Sequence, residues 1–189
     1  MRVVSGKNKG MPLKAVPGSN TRPTTDKVKE SIFNMIGPYF DGGIGLDLFA
    51  GSGGLGIEAL SRGVDKVIFV DKDFKAIMTI RENLEACRLN ESSNSEVYRN
   101  DYIRALKALK KRDIKFDYIF LDPPYKNEII ESILSFISEN DLISDNGIVL
   151  AEFDSERDIP SEIGVFSEIK SEKYGSCGIK IYKVKLNYN

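Results

Sequence analysis

The stretch YIFLDPPY, residues 118–125, combines residue types that local structure alone does not explain. An apolar run typical of a buried strand ends at Asp122, and Pro123 and Pro124 stand between it and Tyr125. The prolines stiffen the turn and donate no backbone hydrogen bonds. The Asp122 carboxylate and the Pro123 carbonyl are both acceptors, so together they can bind the two hydrogens of an exocyclic NH₂ group. The ring of Tyr125 offers a face on which a flat base can stack.

Such an arrangement answers a chemical problem of amine methylation. The lone pair of an aromatic amine is delocalised into the ring, and two acceptors on its hydrogens favour the pyramidal geometry that attack on a methyl group requires. We therefore predict Asp122, Pro123, Pro124 and Tyr125 as the catalytic residues. The simpler alternative is a strand-to-helix turn that uses Asp and Pro for turn propensity, and it explains less well why a glycine-rich turn lies two strand–helix units earlier.

That glycine-rich turn, DLFAGSGGLG at residues 47–56, follows an apolar strand and opens a helix. Its glycines satisfy the G-x-G-x-x-G spacing of nucleotide-binding turns, and Asp71 ends the next strand, where it can bind ribose hydroxyls. Asp47 at the first strand tip would repel the pyrophosphate of a dinucleotide but suits the ammonium of an amino-acid group. The pattern favours S-adenosyl-L-methionine over NAD. Asp101, after the third strand, either accepts from the adenine amino group or caps the next helix.

The composition restricts the available chemistry. The 189 residues include no histidine, which excludes histidine-dependent triads, a histidine base and histidine-ligated metals. Cys87 and Cys177 match no metal or redox spacing, so we predict reduced thiols and no metal site. The length fits one globular domain, and the lack of a long apolar stretch or a signal-peptide core leads us to expect a soluble, cytoplasmic protein.

From residue 44 onward, strand patterns alternate with helix patterns. Apolar runs such as residues 66–71 predict buried strands, and amphipathic runs such as residues 74–89 predict helices. The alternation implies a mostly parallel sheet covered by helices on both faces. After residue 160, two β runs joined through YGSCG predict an antiparallel strand pair at the sheet edge. Ahead of the alternation, a helix is predicted after Pro23, capped by Thr24 or Thr25 and ended at Gly37.

The N-terminal segment is basic. The first 30 residues contain seven Lys or Arg and two acidic residues, whereas the rest of the chain is net acidic. Short β-like stretches predict a basic hairpin or arm over residues 1–22, ahead of a domain over residues 23–189. A solvated polar terminus is an equally simple interpretation, but positive charge confined to one end suits contact with a polyanion.

Together the motifs resemble a known family. DLFAGSG, VDKD (residues 70–73) and DPPY are similar to class I S-adenosylmethionine-dependent methyltransferases acting on exocyclic amines. RPTTDKVKESIFN (residues 22–34) narrows the resemblance to the bacterial 16S rRNA (guanine-N2)-methyltransferase family, over nearly the whole chain. The resemblance implies a Rossmann-like, doubly wound α/β fold with a small N-terminal β extension. It also implies methyl transfer from S-adenosyl-L-methionine to the N2 amine of a guanine in 16S rRNA.

The resemblance further implies which residues bind the cofactor, with Pro23 bordering the pocket, and the basic N-terminal segment supplies the residues expected to contact RNA. The predicted cofactor-binding residues are Asp47, Phe49, Gly51, Gly53, Asp71, Lys72, Asp101, Tyr102, Arg22 and Thr24. The predicted RNA-binding residues are Arg2, Lys7, Lys9, Lys14, Arg22 and Lys27. The family's usual Asp-Thr pair after YG is replaced here by Ser176-Cys177, so the role of this loop stays open. We expect 16S rRNA, in the small ribosomal subunit or its assembly intermediate, as partner, no membrane, and a monomer.

Three other functions remain open at this stage. N6-adenine DNA methyltransferases use a similar turn, but they generally need a target-recognition region for which this chain has little spare length. If the chain is instead a nicotinamide-dependent oxidoreductase, it should bind NAD and not S-adenosylmethionine. If the chain is a non-enzymatic RNA-binding scaffold with a vestigial pocket, it should bind rRNA but form no methylated product.

Overall fold

The computed structural model describes residues 1–18, 25–91, 93–124 and 129–185. Within them, helices and strands alternate along most of the chain. In chain order they are α1 (Asp26–Ile36), β1 (Ile44–Asp47), α2 (Gly54–Ser61), β2 (Lys66–Asp71), α3 (Phe74–Ala86), β3 (Ser95–Arg99), α4 (Tyr102–Lys110), β4 (Phe116–Leu121), α5 (Ile130–Glu139), β5 (Ile143–Asp154), β6 (Glu162–Ile163), β7 (Phe166–Tyr174) and β8 (Cys177–Val184). No helix in this part of the chain has the length and apolar character that a bilayer crossing requires.

The strands form one mixed sheet in the order β3-β2-β1-β4-β5-β8-β7-β6. Strands β1 to β5 pair in parallel, and β8, β7 and β6 add antiparallel strands beyond β5. This arrangement confirms the predicted fold class. The two-residue β6 was not predicted, because a run that short carries no periodicity.

Helices cover both faces of the sheet, and the strand residues alternate between two apolar cores. The first core contains buried side chains from α1, α2 and α3, together with Phe120 and Leu150 of the sheet. The second contains side chains from α4 and α5, together with Leu121 and Ala151. Strands buried on both faces need apolar residues at every position, which explains the continuous apolar runs in the sequence.

The strand order reverses between β1 and β4. From β1 the chain continues through β2 and β3 toward one edge, and it returns beside β1 with β4. In open α/β sheets, such a reversal leaves a crevice outside the carboxyl ends of the strands. Both sequence motifs are therefore delivered to one place, since the glycine-rich turn follows β1 and the DPPY turn follows β4.

The N-terminal residues form a hairpin that packs on α2. The Val3 N–H donates to the Met11 carbonyl at 2.9 Å, and the Leu13 N–H donates to the Met1 carbonyl at 2.9 Å. The hairpin is attached through Glu58 of α2, whose carboxylate accepts from the N–H groups of Val4 and Ser5 at 2.8 and 2.9 Å. The division of the chain into residues 1–22 and a domain over residues 23–189 stays a prediction.

Glu58 also lies at the centre of a buried ionic network. Its carboxylate accepts from Arg62 Nε at 2.8 Å and lies 3.3 Å from Lys29 Nζ, and all three side chains are at most 2% exposed. Lys29 in turn donates to the Arg2 carbonyl. Helix α1, helix α2 and the hairpin are therefore held together by one carboxylate. Lys29 contributed to the apparent positive charge of the N-terminal segment, yet it lies inside the protein.

Candidate cofactor and target cleft

A cleft of about 1220 Å³ opens at the carboxyl ends of the paired strands β1 and β4. Most of the predicted cofactor-binding and catalytic residues line it, namely Asp47, Phe49, Gly51, Asp71, Lys72, Asp101, Tyr102, Asp122, Pro123 and Pro124. Gly53 is not part of the lining. It caps α2 in the left-handed conformation, with φ of +81°, which a glycine adopts at low cost.

The glycine-rich turn is built around Asp47. Its carboxylate, 2% exposed, accepts from the Gly56 N–H at 3.0 Å, near the start of α2. Gly56 must be glycine because a Cβ there would lie 2.3 Å from a ring carbon of Phe69 on β2. Burial raises the pKa of Asp47 to about 7, although the hydrogen bond from Gly56 opposes the increase. The site therefore holds a carboxyl group that would gain from a cationic neighbour.

Asp71 links the glycine-rich turn to the end of β2. One carboxylate oxygen accepts from the Gly51 N–H at 2.9 Å, and the other accepts from the Asp73 N–H at 2.9 Å. Each carboxylate oxygen has a second lone pair, so both can accept a further hydrogen bond from a ligand hydroxyl. A Cβ placed on Gly51 would have no neighbour within 4 Å, so the cleft is open directly above this glycine.

Asp101 caps α4, which is one of the two roles left open by the sequence. Its carboxylate accepts from the Ile103 N–H at 3.0 Å. It also lines the cleft, so the two roles are compatible. The neighbouring Tyr102 ring lies 5.5 Å from the Phe49 ring, between centroids, and both rings border the same end of the cleft. This end offers flat apolar surface beside an acceptor.

Beyond β4, Asp122, Pro123 and Pro124 line the cleft. Asp122 is partly buried, Pro123 is buried and Pro124 is exposed. The pKa of Asp122 is raised well above its ordinary value, first by burial and then by the nearby carboxylates of Glu152 and Asp47. Once deprotonated, a carboxyl group with a raised pKa is a stronger proton acceptor than an exposed aspartate. Tyr125 lies outside the described residues.

Glu152 of β5 is a cleft residue that the sequence analysis missed. Leu121 of β4 pairs with Ala151 of β5, so Asp122 and Glu152 occupy the next position on neighbouring strands. Glu152 is 5% exposed and lines the cleft. Its signal in the sequence is a single acidic residue within the apolar run IVLAEF, where a buried strand has no structural need for a charge. No group of three acidic or cysteine side chains in the described part of the chain is arranged to bind a metal ion.

Helix α1 and the β7–β8 turn enclose the cleft from the same face of the sheet. Ser31 of α1 and Tyr174 of β7 are hydrogen-bonded through their hydroxyls at 2.5 Å. Thr25, the N-cap of α1, also lines the cleft, as do Ser176 and Cys177. Arg22, Pro23 and Thr24, which were predicted to border this region, lie outside the described residues.

The predicted RNA-binding cations differ in their surroundings. Arg2 pairs with Asp26 at 3.0 Å, and Lys14 pairs with Glu82 at 2.8 Å. Lys7, Lys9 and Lys27 are exposed and make no ion pair within the described residues, and Arg22 lies outside them. None of these cations lines the cleft.

Helix α4 carries a second basic surface, on the opposite face of the sheet from the hairpin. Its exposed cations without an ion pair among the described residues are Arg104, Lys107 and Lys110. Positive charge is thus less confined to the N-terminal end than the sequence count suggested.

The chain is similar to known proteins over most of its length. The family described as "Conserved hypothetical protein 95" matches residues 1–183. A Bacillus subtilis protein named "Putative rRNA methyltransferase YlbH" is 57% identical over 183 residues, which cover 97% of this chain and 98% of that protein. "Ribosomal RNA small subunit methyltransferase D" of Haemophilus influenzae is 35% identical over 160 residues, which cover 85% of this chain and 81% of that protein.

A solved structure shows the same fold over nearly the full length. The Escherichia coli protein described as "Putative methyltransferase yhhF" is 28% identical, with a TM-score of 0.80 and coverage of 98% of both chains. The resemblance identified in the sequence is therefore confirmed, and this chain belongs to the conserved hypothetical protein 95 family, whose relatives here carry ribosomal RNA methyltransferase names.

Proposed function

We propose that this chain transfers a methyl group from S-adenosyl-L-methionine to the exocyclic N2 amine of a guanine in 16S rRNA. The observation that carries the proposal is the position of the Asp122 and Pro123 acceptors, which share one switch-point cleft with the glycine-rich turn. The names of the relatives support ribosomal RNA of the small subunit as the substrate.

The residues of the cleft fit S-adenosyl-L-methionine better than a dinucleotide. A pyrophosphate would need the free N–H groups at the start of α2, but the Gly56 N–H is already bonded to the Asp47 carboxylate. A cationic ammonium group beside Asp47 would be stabilised by the carboxylate. The unused lone pairs of Asp71 suit ribose hydroxyls, and the Phe49–Tyr102 end of the cleft suits an adenine ring.

When bound, S-adenosyl-L-methionine supplies a methyl group already activated on a sulfonium, so the protein has mainly to position the nucleophile. Asp122 and the Pro123 carbonyl would accept the two N2 hydrogens and so hold the amine in place for attack. The bound cofactor would supply the methyl group to N2, and its sulfur would keep the electron pair of the broken carbon–sulfur bond. The surplus N2 proton passes to the Asp122 carboxylate, whose raised pKa suits this role.

The target base must leave its stack to reach this cleft. We infer that the hairpin cations contact the rRNA backbone and that about 3–5 phosphate contacts make the affinity fall with salt. Affinity falls as salt rises, so the slope of log affinity against log salt is negative. Replacing Lys7 and Lys9 by Ala should make this slope less steep by about 1.5. The same change at Lys107 and Lys110 on α4 is the charge-matched control. If the two double variants reduced the steepness of the salt dependence equally, the assignment of the hairpin as the RNA surface would be contradicted.

The direct test uses purified protein, labelled S-adenosyl-L-methionine and small ribosomal subunits from cells that lack this protein. Asp122→Ala should abolish transfer to guanine N2, while calorimetry should show that cofactor binding survives. Transfer at the wild-type rate by Asp122→Ala would refute the mechanism. If duplex DNA became labelled and rRNA did not, the proposal that rRNA is the substrate would be refuted. We also propose that the protein acts as a monomer in the cytoplasm.

A further inference from the structure

The carboxyl group of Glu152 has no role in the reaction as described above, although its position is well defined. Asp47 pairs with Phe120 in the β1–β4 register, and Phe120 pairs with Leu150 in the β4–β5 register. Paired residues in a sheet point to the same face, and side chains two positions apart share a face. Asp47, Asp122 and Glu152 therefore lie on one face, at the carboxyl ends of three adjacent strands.

Asp122 and Glu152 are thus in-register neighbours, about 4.8 Å apart along the hydrogen-bonding direction of the sheet. Both line the cleft, and their charges interact, since the carboxylate of Glu152 contributes to the raised pKa of Asp122. A base whose amine is held by Asp122 therefore has an adjacent edge atom within reach of Glu152. The chemistry of that atom differs between purines.

We propose that Glu152 accepts a hydrogen bond from N1–H of the target guanine and thereby selects guanine over purines whose N1 is an acceptor. The Watson–Crick edge of guanine offers adjacent donors, N1–H and N2–H₂, which match two neighbouring carboxyl groups. In adenine, N1 is a lone-pair acceptor and would face the Glu152 carboxylate without a proton between them. This inference rests on the proposed function, because Asp122 must first hold the N2 amine.

Burial is what makes this contact selective. Because Glu152 is 5% exposed, little water can screen the repulsion between its carboxylate and a lone-pair acceptor at N1 when the wrong base enters. Sites built to bind a substrate N–H discriminate strongly against analogues that lack it. During transfer Glu152 keeps its hydrogen bond to N1–H, and the N2 proton still leaves to Asp122.

The test uses 2-aminopurine, which keeps the N2 amine but has an acceptor at N1. After the methylated guanine has been mapped, rRNA is assembled by ligation with guanine or 2-aminopurine at that position. The wild-type protein should methylate guanine with a kcat/KM at least about 100-fold above that for 2-aminopurine. Glu152→Gln can donate its amide N–H to N1 of 2-aminopurine, so this ratio should fall to within about tenfold. Glu172→Gln, an exposed position on β7, is the matched control and should keep the wild-type ratio.

A binding measurement separates this inference from the proposed function. Inosine keeps N1–H but has no N2 amine, so wild-type protein saturated with S-adenosylhomocysteine should bind inosine-containing rRNA more tightly than rRNA with unsubstituted purine. Glu152→Gln should reverse or remove that preference. Equal kcat/KM of the wild type for guanine and 2-aminopurine, or an unchanged ratio in Glu152→Gln, would overturn the role of Glu152. A wild-type protein that methylates no guanine would instead refute the proposed function and, with it, the role of Glu152 that rests on it. If Glu152→Gln does not fold, the wild-type comparisons alone decide.

Discussion

We expect the ionic network at Glu58 to contribute strongly to the free energy of unfolding. Glu58→Gln keeps the shape of the side chain but leaves the charges of Lys29 and Arg62, each at most 2% exposed, without their carboxylate. Its amide N–H₂ would also face one of the two hairpin N–H groups that Glu58 accepts from. Removing one partner of a buried ion pair costs about 3–5 kcal/mol, so the free energy of unfolding should fall by that amount.

Urea titration followed by circular dichroism measures this loss. With a slope of about 2 kcal/mol per molar urea, the midpoint should move down by about 2 M. The control is Glu82→Gln, which removes the exposed partner of Lys14 and should change the midpoint much less. Burial holds the pKa of Lys29 below its ordinary value, and without Glu58 it should fall further. The difference in free energy of unfolding between the wild type and Glu58→Gln should therefore shrink as the pH rises and Lys29 loses its proton. Equal midpoint shifts in the two variants would refute this reasoning.

Two further predictions concern the glycine-rich turn. The folded-state pKa of Asp47 is raised from 3.8 to about 7, so its contribution to stability is present below pH 3.8 and is lost as the pH rises through 7. The free energy of unfolding of the wild type should therefore fall relative to that of Asp47→Asn between about pH 4 and pH 7, and a constant difference across this range would contradict the buried carboxyl. Gly56→Ala should lower the free energy of unfolding by about 1–3 kcal/mol, because its Cβ would overlap the Phe69 ring, even though Ala favours helix. A variant at least as stable as the wild type would show that the ring moves aside freely.

The sequence predicted the order of elements because their patterns are local. The apolar runs of the parallel strands and the stripe of α3 follow directly from burial, and the capping Thr25 and terminal Gly37 of α1 follow from backbone chemistry. The cleft could be located because both motifs end neighbouring parallel strands. The role of Asp101 as a helix cap was open in the sequence and needed the position of Ile103.

Other features depend on contacts between distant residues and could not be predicted. Lys29 looked like a surface charge of a basic terminus, and only the packing of α1 on α2 shows that it is buried against Glu58. Glu152 stands out in an apolar run, but its proximity to Asp122 follows from strand register, which no local pattern specifies. The placement of the basic surfaces of the hairpin and α4 on opposite faces of the sheet likewise appears only once the helices are placed.

We propose above that this chain methylates a guanine N2 amine in 16S rRNA and that Asp122 is required for the transfer. Mass mapping of methylated guanines in rRNA from cells that lack this protein tests it most directly. One N2-methylguanine should be missing from the small subunit and should return when the purified wild-type chain is added with S-adenosyl-L-methionine, but not when Asp122→Ala is added. An unchanged pattern of methylated guanines in those cells, or restoration by Asp122→Ala, would contradict the account.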